Sequence, residues 1–239
     1  MASFAVDLHI HSCLSPCADD DMTPNNILGM AHLKGLDAVA ITDHNAWQNL
    51  PAAAKVAEQY GIVLLPGLEV TTREEVHMLC YFKGLEEAAA FGEVVQKTLF
   101  LPNNKALFGN QLILDENDAF LGEIEPLLIQ ASSFGVEELL PLARGFGGLC
   151  VPAHINKKAN SMISNLGFLP LNRPYAAVEV FKKMPLQADT GDYLLLNSSD
   201  AHQLGDISER EFYLRFEEKS LESLFAYLSA HVHESPGFF

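Results

Sequence analysis

The chain has 239 residues, of which 49% are hydrophobic, and 15 lysines and arginines against 31 aspartates and glutamates give it a formal net charge of −16. This length fits one large domain or two small ones, and the apolar fraction is that of a globular protein with a hydrophobic core. Such an acidic surface repels polyanions and offers no positive footprint for duplex nucleic acid. We therefore expect a small partner and no long nucleic acid.

Neither membrane segments nor disulfides are expected. The apolar runs break well short of the ~18 residues that a transmembrane helix needs. The first residues lead into a strand with no basic segment before it, so we expect no signal peptide. Cysteines stand at 13, 17, 80 and 150 with no repeating spacing, which predicts reduced thiols. Cys13 and Cys17 lie near the first histidines, so a metal role for them is conceivable but less expected. We therefore expect a cytoplasmic protein.

Strand and helix patterns alternate over the first eighty residues. Thr23-Pro24 offers an N-cap followed by proline at the first helical position, and Gly35 suits the residue after a helix end. Buried apolar strands that alternate with helices indicate parallel β/α units. The predicted elements here are strands over 4–11, 36–42, 62–65 and 77–82, and helices over 24–34 and 51–60.

The pattern changes between Gly84 and Leu142. A helical stretch is followed by Pro, Asn and Gly breakers and by two short apolar runs, 111–114 and 119–122, which favour a hairpin or an extended excursion. We expect one domain over 1–239, with 84–142 as an insertion that covers part of the site. Beyond it the predicted strands are 149–154, 177–181, 193–197 and 212–216, and the last helix is 221–230.

The first strand carries chemistry on one face. Side chains alternate along a strand, so Asp7, His9 and His11 share a face, and the apolar Val6 and Leu8 lie on the other. Two imidazoles two residues apart can hold one divalent ion. Taken alone, the pair is more often two solvent-facing histidines on an edge strand.

The later strands weigh against that alternative. The strands at 36–42, 62–65, 149–154 and 193–197 each lead into a residue that can ligate a metal, and the carboxyl ends of parallel barrel strands meet at one mouth. His77 departs from this rule because it begins its strand. Imidazole and carboxylate donors suit Zn, Mn or Fe ions. The residues at strand ends are His9, His11, Asp43, His44, Glu69, His154, Asp200 and His202.

These motifs resemble those of the PHP (polymerase and histidinol phosphatase) family. The similarity rests on Asp7-Leu-His-Ile-His-Ser12, Ile41-Thr-Asp-His44, Gly67-Leu-Glu69, His77, Ala153-His154 and Ser199-Asp-Ala-His202. It implies a distorted (β/α)7 TIM-like barrel with two or three divalent ions at its mouth. The implied ligands are His9, His11, Glu69 and Asp200 for one ion, Glu69, His77 and His154 for a second, and His44, His202 and an aspartate for a third.

The aspartate of the third site is the open point. The family's short Ser-Asp-Gly loop is replaced here by residues 15–21, with three aspartates in a row. Counted back from Thr23-Pro24, Asp19 matches best, and Asp20 and Asp21 stay open.

The resemblance implies a metal-dependent phosphoesterase in which a metal-bound hydroxide hydrolyses a phosphate ester of a small metabolite, nucleotide or short oligonucleotide. Asp43 could orient a ligand or relay a proton, or it could only cap a turn. Lys157 and Lys158 are the preferred phosphate contacts, with Arg73 and Arg173 as further candidates.

Two other functions remain open from the sequence. An amidohydrolase also begins with His-x-His on a barrel strand, but its usual strand-end lysine is missing around Glu69 and His77. A catalytically silent module stabilised by metal and used for binding is the second alternative.

Overall fold

A computed structural model describes residues 1–232, so residues 233–239 of the expected 1–239 domain lie outside the described range. The fold is mixed α/β, as predicted. In the described range the helices are α1 (Pro24–Leu33), α2 (Leu50–Tyr60), α3 (Leu85–Gln96), α4 (Lys105–Phe108), α5 (Val136–Gly145), α6 (Met162–Leu166) and α7 (Leu221–Ala230). The strands are β1 (Ala2–Ile10), β2 (Ala38–Ile41), β3 (Val63–Leu64), β4 (Gly67–Thr71), β5 (His77–Tyr81), β6 (Leu112–Leu114), β7 (Phe120–Glu123), β8 (Leu149–Pro152), β9 (Val178–Phe181), β10 (Leu195–Ser198) and β11 (Tyr213–Phe216).

Three of the sheets contain the strands that carry the predicted metal-ligating residues. One has the order β11-β1-β2-β3, with β1, β2 and β3 parallel and β11 antiparallel to β1. A second pairs β9 and β10 in parallel. The third has the order β4-β5-β8, and both of its pairings are antiparallel.

The prediction of parallel units is wrong for β5, which runs antiparallel to both of its neighbours, β4 and β8. Only five residues join β4 to β5, and Thr72 N donates to Val76 O at 2.9 Å across this turn. A parallel connection needs about a dozen residues or more, so a link this short can form only a hairpin. Glu69 accordingly lies within β4, and β3 does not end at it.

The ends of neighbouring sheets are tied to one another. His44 pairs with Glu69 in an isolated parallel bridge, which joins the end of β2 to β4. Ile10 pairs with Ala201 in a second one, which joins the end of β1 to the residues after β10. Because of these bridges, the ends of β1, β2, β4 and β10 lie side by side.

The helices follow their sequence signals. Thr23 Oγ1 accepts a hydrogen bond from Asn26 N at the start of α1, with Pro24 in the first turn. Gly61, with φ of 64°, ends α2 in the left-handed region that glycine tolerates. Ile27 and Val56, one from each helix, are fully buried in the main core. None of the helices in residues 1–232 has the length and apolar content needed to cross a membrane.

The segment 84–142 contains both core and peripheral parts. Phe91 and Val95 of α3 belong to the main core, whereas β6 and β7 form a separate antiparallel hairpin. Asn49 anchors this hairpin, since its Nδ2 donates to Leu112 O and its Oδ1 accepts from Leu114 N, both at 3.0 Å.

Candidate metal centre

His9 and His11 lie at the end of β1 and are fully buried. Their Nε2 atoms are 3.1 Å apart. Asp200 Oδ1 lies 3.2 Å from each of them, and the two oxygens of Glu69 lie 3.4 Å from His9 Nε2 and 3.3 Å from His11 Nε2. Two imidazoles and two carboxylates thus surround one point.

The chain after β10 is pinned so that Asp200 reaches this point. The buried carboxylate of Asp7 accepts hydrogen bonds from Ser199 N at 2.9 Å and Ser208 N at 2.8 Å. Asp200 has φ of 50°, a left-handed conformation that is uncommon outside glycine. Asp7, on the histidine-bearing face of β1, therefore positions the loop and does not itself join the cluster.

Glu69 also faces a second pair of imidazoles. Its Oε1 lies 3.1 Å from His77 Nδ1 and 3.1 Å from His154 Nε2. His77 begins its strand, but β5 runs antiparallel to β4 and β8, so its first residue lies at the same end as His154, which follows β8. The hairpin thus explains the residue that departed from the strand-end rule.

A third group of possible metal ligands consists of histidines only. His11, His44 and His202 each offer one nitrogen, and these atoms all lie within 4.8 Å of one another. His202 Nδ1 lies 2.9 Å from Asp200 O, to which it donates, so Nε2 is left as the free acceptor. His44 Nδ1 lies 3.1 Å from Glu69 Oε2, which connects this group to the carboxylate shared by the others.

The charges of the cluster stabilise one another. Burial alone would lower the pKa of His9, but the carboxylates of Glu179, Asp200 and Glu69 outweigh it and raise the pKa well above its ordinary value. Burial would raise the pKa of Glu69, but His77, His9 and His44 hold it well below its ordinary value. Without a metal, protons on His9 and His11 thus compensate the buried carboxylates, whereas burial lowers the pKa of His44 and His202.

The donors fit divalent metal ions. His44 Nδ1 and His77 Nδ1 are buried and have no hydrogen-bond partner, although each lies 3.1 Å from the carboxylate of Glu69. Buried polar atoms are nearly always paired, so such orphans need an explanation. A metal between imidazole nitrogen and carboxylate oxygen supplies it, because a ligating nitrogen gives its lone pair to the ion.

The cluster opens into a cavity of about 340 Å³. Its wall also includes Cys17 from the loop after β1, Lys157 and Asn160 from the loop after β8, and Ile129 from the segment 84–142. Ile129 is held there because Asn45 Nδ2 donates to the neighbouring carbonyls Leu128 O and Gln130 O at 2.7 and 3.0 Å. Solvent and a small molecule can therefore reach the donors.

A family profile described as PHP domain matches residues 7–163, well over half of the chain. The chain belongs to the PHP domain family. Curated relatives of this PHP domain include phosphoribosyl 1,2-cyclic phosphate 1,2-diphosphodiesterase of Eggerthella lenta, 33% identical over 88 residues that cover 35% of this chain and 32% of that protein. Another is the 3′,5′-nucleoside bisphosphate phosphatase of Chromobacterium violaceum, 35% identical over 77 residues that cover 31% of this chain and 26% of that protein. The chain spans less than half the length of each of these relatives.

Solved structures share the fold of this PHP domain. A lesion-specific endonuclease from Pyrococcus furiosus superposes with a TM-score of 0.65 at 21% identity, over 96% of this chain and 56% of that one. A complex of endonuclease Q with a 27-mer duplex that has an abasic lesion at the active site gives a TM-score of 0.66 at 20% identity, over 96% and 57% of the two chains. At about 20% sequence identity, these superpositions show that the chains share a fold and nothing more.

Glu179 of β9 belongs to the site although the sequence patterns did not single it out. Its two carboxylate oxygens lie 3.0 and 2.9 Å from His9 Nδ1, and Oε2 also accepts a hydrogen bond from His154 N at 2.8 Å. With the His9 proton on Nδ1, Nε2 is free to ligate. The only signal in the sequence is one acidic residue inside the apolar run 177–181.

Asp43, expected as a catalytic residue, lies behind the cluster. Its carboxylate accepts hydrogen bonds from Ser12 N at 2.7 Å, Ser12 Oγ at 2.6 Å and Ser15 Oγ at 2.6 Å. Because Ser15 Oγ donates to Asp43, it accepts from His11 Nδ1, 3.0 Å away. Asp43 thus reaches a metal-competent histidine only through Ser15, as a positioning residue.

The aspartates expected to complete the third site of the PHP pattern are not brought into the cluster. Asp19, Asp20 and Asp21 are exposed. Asp19 N donates to His202 O at 3.0 Å, and Asp20 Oδ2 accepts from Asn110 Nδ2 at 2.8 Å. The longer loop brings the backbone of Asp19 to His202, whereas His11 supplies the third nitrogen near His44 and His202.

The cations expected to bind phosphate lie in three different places. Lys157 lines the cavity, and its ammonium group contacts Asp200 Oδ2. Arg73 and Arg173 do not line the cavity: Arg73 Nη1 lies 3.1 Å from Glu138, and Arg173 Nη2 lies 2.7 Å from Glu137. Lys158 is exposed and lines a neighbouring cavity.

Proposed function

We propose that this PHP domain is a metal-dependent phosphoesterase. The observation that carries the proposal is the position of Glu69, whose carboxylate oxygens lie 3.1 to 3.4 Å from nitrogens of five histidines at the base of an open cavity. A carboxylate shared in this way can bridge two ions. The five histidines are His9, His11, His44, His77 and His154.

The proposed cofactors are two or three divalent ions, Zn, Mn or Fe. One set of ligands is His9, His11, Glu69 and Asp200, and a second is Glu69, His77 and His154. For a third ion we propose His44 and His202, whose nitrogens lie together with that of His11; His11 itself has only Nε2 free and is used by the first set. Bound divalent ions activate water as a nucleophile and stabilise the charge that develops on phosphoryl oxygens.

The protein groups around the cluster would orient it and bind the substrate. Glu179 and Ser15 accept hydrogen bonds from Nδ1 of His9 and of His11, which keeps the Nε2 atoms available as ligands. The Lys157 ammonium group lies at the cavity wall beside Asp200. There it can bind a phosphoryl oxygen and neutralise part of its charge.

We propose small phosphorylated metabolites, nucleotides or short oligonucleotides as substrates. Two curated relatives are named for a cyclic phosphate and a nucleoside bisphosphate. The net charge of −16 disfavours long nucleic acid, but the endonuclease Q complex contains duplex DNA. Long duplex DNA is therefore included in the assay below.

The barrel and the single domain remain proposals as well. We propose a distorted (β/α)7 barrel over 1–239, in which the bridges of His44 with Glu69 and of Ile10 with Ala201 continue the wall between sheets. The segment 84–142 would be an insertion that covers part of the mouth. Ile129 in the cavity wall supports this arrangement.

The test is hydrolysis by the purified full chain, stripped of metal and reloaded separately with Mn, Zn or Fe. The substrates are p-nitrophenyl phosphate, bis-p-nitrophenyl phosphate, a nucleotide panel, a short 5′-phosphorylated oligonucleotide and a long duplex. We expect metal-dependent hydrolysis of at least one of these esters, measured as p-nitrophenol, phosphate or shortened oligonucleotide, and we expect Asp200→Asn and His154→Ala to abolish it. His32→Ala is the matched control, since His32 is exposed and does not line the cavity.

The same preparations test the alternatives. No hydrolysis of any of these phosphate esters above that of the His154→Ala variant, at any metal loading, would overturn the proposal. Cleavage of amide substrates in its place would favour an amidohydrolase. Loss of stability on chelation without any turnover would favour a silent metal-stabilised module.

A further inference from the structure

A second cavity adjoins the metal cavity. Its volume is about 380 Å³, and the two cavities share the side chain of Lys157. Both volumes fall in the range of small-molecule sites. A molecule with one end among the metal-competent residues can therefore extend past Lys157 into the second space.

The walls of this second cavity are mostly apolar, with Ser164 and Gln187 as further polar residues at the lining beside Asn156 and the lysines. Ile155 and Ile163, after β8, form one side, and Met184 and Leu186, after β9, form the other. Ile155 belongs to the main hydrophobic core, and Ile163 and Leu186 pack against it. The lining is thus continuous with the protein interior.

Asn156 holds the two sides together. Its Nδ2 donates to Phe181 O at 3.0 Å and to Met184 O at 2.8 Å, and its Oδ1 accepts from Phe181 N at 2.8 Å. These three hydrogen bonds fix the turn after β9 against the loop after β8. The space between the loops is therefore preformed.

Positive charge borders the cavity in an otherwise acidic protein. Four of the 15 lysines and arginines lie in these two loops, at 157, 158, 182 and 183. Two of them are turned to other partners, since Lys182 Nζ donates to Ser208 Oγ at 3.2 Å and Lys183 pairs with Asp206. Lys157 and Lys158 both line the apolar cavity. Lys157 also contacts Asp200 and lies 4.5 Å above the centre of the Phe181 ring. The border between the cavities thus suits an anion with an apolar group attached.

We infer that this second cavity binds the organic group of the phosphate ester, and that this group is a flat aromatic or heterocyclic ring system. The inference rests on the proposed function, which positions the phosphate in the metal cavity. Aliphatic walls gain from the burial of a ring. They offer few partners to the hydroxyl groups of a polyol ester, which would lose hydrogen bonds to water there.

The test uses phosphonates, because their carbon–phosphorus bond resists hydrolysis and binding is then measured without turnover. Phenylphosphonate and methylphosphonate are titrated calorimetrically into the metal-loaded full chain. We expect phenylphosphonate to bind about tenfold more tightly, which corresponds to the burial of one ring. In Met184→Asp this preference should disappear.

Two further variants complete the design. Met184→Thr removes apolar surface without adding a charge, and it reports on the cavity if the aspartate disturbs the loop. Leu33→Asp is the matched control, since Leu33 is 78% exposed on α1 and should leave the preference intact.

Each result decides the matter. Three outcomes would overturn the inference. The unmodified protein could bind both phosphonates equally, it could bind neither, or the preference for phenylphosphonate could persist in both Met184 variants. A phenyl preference that these variants remove, in a protein that hydrolyses none of the phosphate esters, would overturn the proposed function and leave the inferred cavity standing.

Discussion

Glu179 Oε2 lies 2.9 Å from His9 Nδ1 and accepts the backbone N–H of His154 at 2.8 Å. One buried carboxylate on β9 thereby orients the ring of one metal-competent histidine and the main chain of another. His154 has φ of 31°, which an L residue rarely adopts without such support. Glu179 therefore links the conformation of β9 to the geometry of the cluster.

We predict that Glu179→Gln weakens metal binding. The amide keeps the size of the side chain but removes the charge that fixes the His9 proton on Nδ1. Loss of a hydrogen-bonded partner of this kind lowers metal affinity by about 10–100-fold. Calorimetric titration of metal into the stripped protein measures the change.

Glu137→Gln is the control for this prediction. Glu137 is exposed and pairs with Arg173 outside the cavity, so metal affinity should match that of the unmodified protein. If Glu179→Gln binds metal as tightly as Glu137→Gln does, Glu179 has no role in orienting His9.

The strand-end residues of the cluster could be predicted because they are carried by local patterns. His9, His11 and His154 stand at the ends of apolar runs, and parallel strand ends converge whatever the details of their packing. Glu179 could not be predicted in this way. Its role depends on which strand lies beside β1 and β8 in space, and no local spacing records that neighbour.

The antiparallel position of β5 has a similar cause. Strand propensity does not carry direction, and only the five-residue link between Thr71 and His77 indicates a hairpin. The loop after β1 is harder still to predict from the sequence. Spacing from Thr23-Pro24 selects Asp19, but the fold uses Ser15 inside that loop and leaves the Asp19 side chain exposed.

We predict that Asp43→Asn acts through stability and the orientation of His11. The carboxylate accepts three hydrogen bonds from Ser12 and Ser15 in a buried setting. In Asn the second carboxylate oxygen is replaced by an NH2 group, which would face the hydrogen-bond donors of Ser12 or Ser15. We expect this to lower the unfolding free energy by about 1–3 kcal/mol. Urea denaturation of metal-free protein measures this cost.

A pH–rate profile separates positioning from proton transfer for Asp43. We expect kcat to fall in Asp43→Asn while the shape of the profile stays the same, and Ser15→Ala should produce the same pattern. Loss of one limb of the profile in Asp43→Asn alone would identify Asp43 as a proton donor or acceptor.

We predict that Asp19→Asn leaves the number of bound metal ions unchanged. The Asp19 side chain is exposed, and the third group of donors is His11, His44 and His202. His202→Ala should in contrast lose ions or bind them more weakly. Elemental analysis after dialysis counts the ions in both variants. If Asp19→Asn binds one ion fewer than the unmodified protein, Asp19 is a metal ligand, as the sequence predicted. Asp20→Asn and Asp21→Asn serve as controls at the neighbouring positions.

The metal-free protein should be most stable near pH 6.5. Burial lowers the pKa of His202 to about 4, helped by His11, from an ordinary value of 6.5. Between these values the unfolded chain binds a proton that the folded protein does not, so stability falls as the pH falls from 6.5 to 4. For His9 and His11, burial is outweighed by nearby carboxylates and the pKa is raised. Their contribution is complete below 6.5 and is lost as the pH rises through the raised value.

Thermal unfolding from pH 4 to 8, with and without bound metal, tests this prediction. In the metal-loaded protein His9 and His11 hold the ion in place of protons, so the decline above pH 6.5 should disappear and the gap in Tm should widen toward pH 8. His202→Gln should make the acid side less steep but not flat, because burial also lowers the pKa of His44 well below its ordinary value. His32→Gln, at an exposed position, should leave the whole profile unchanged. Metal-free stability that keeps rising from pH 6.5 to 8 would mean that protons on His9 and His11 do not compensate Glu69 and Asp200.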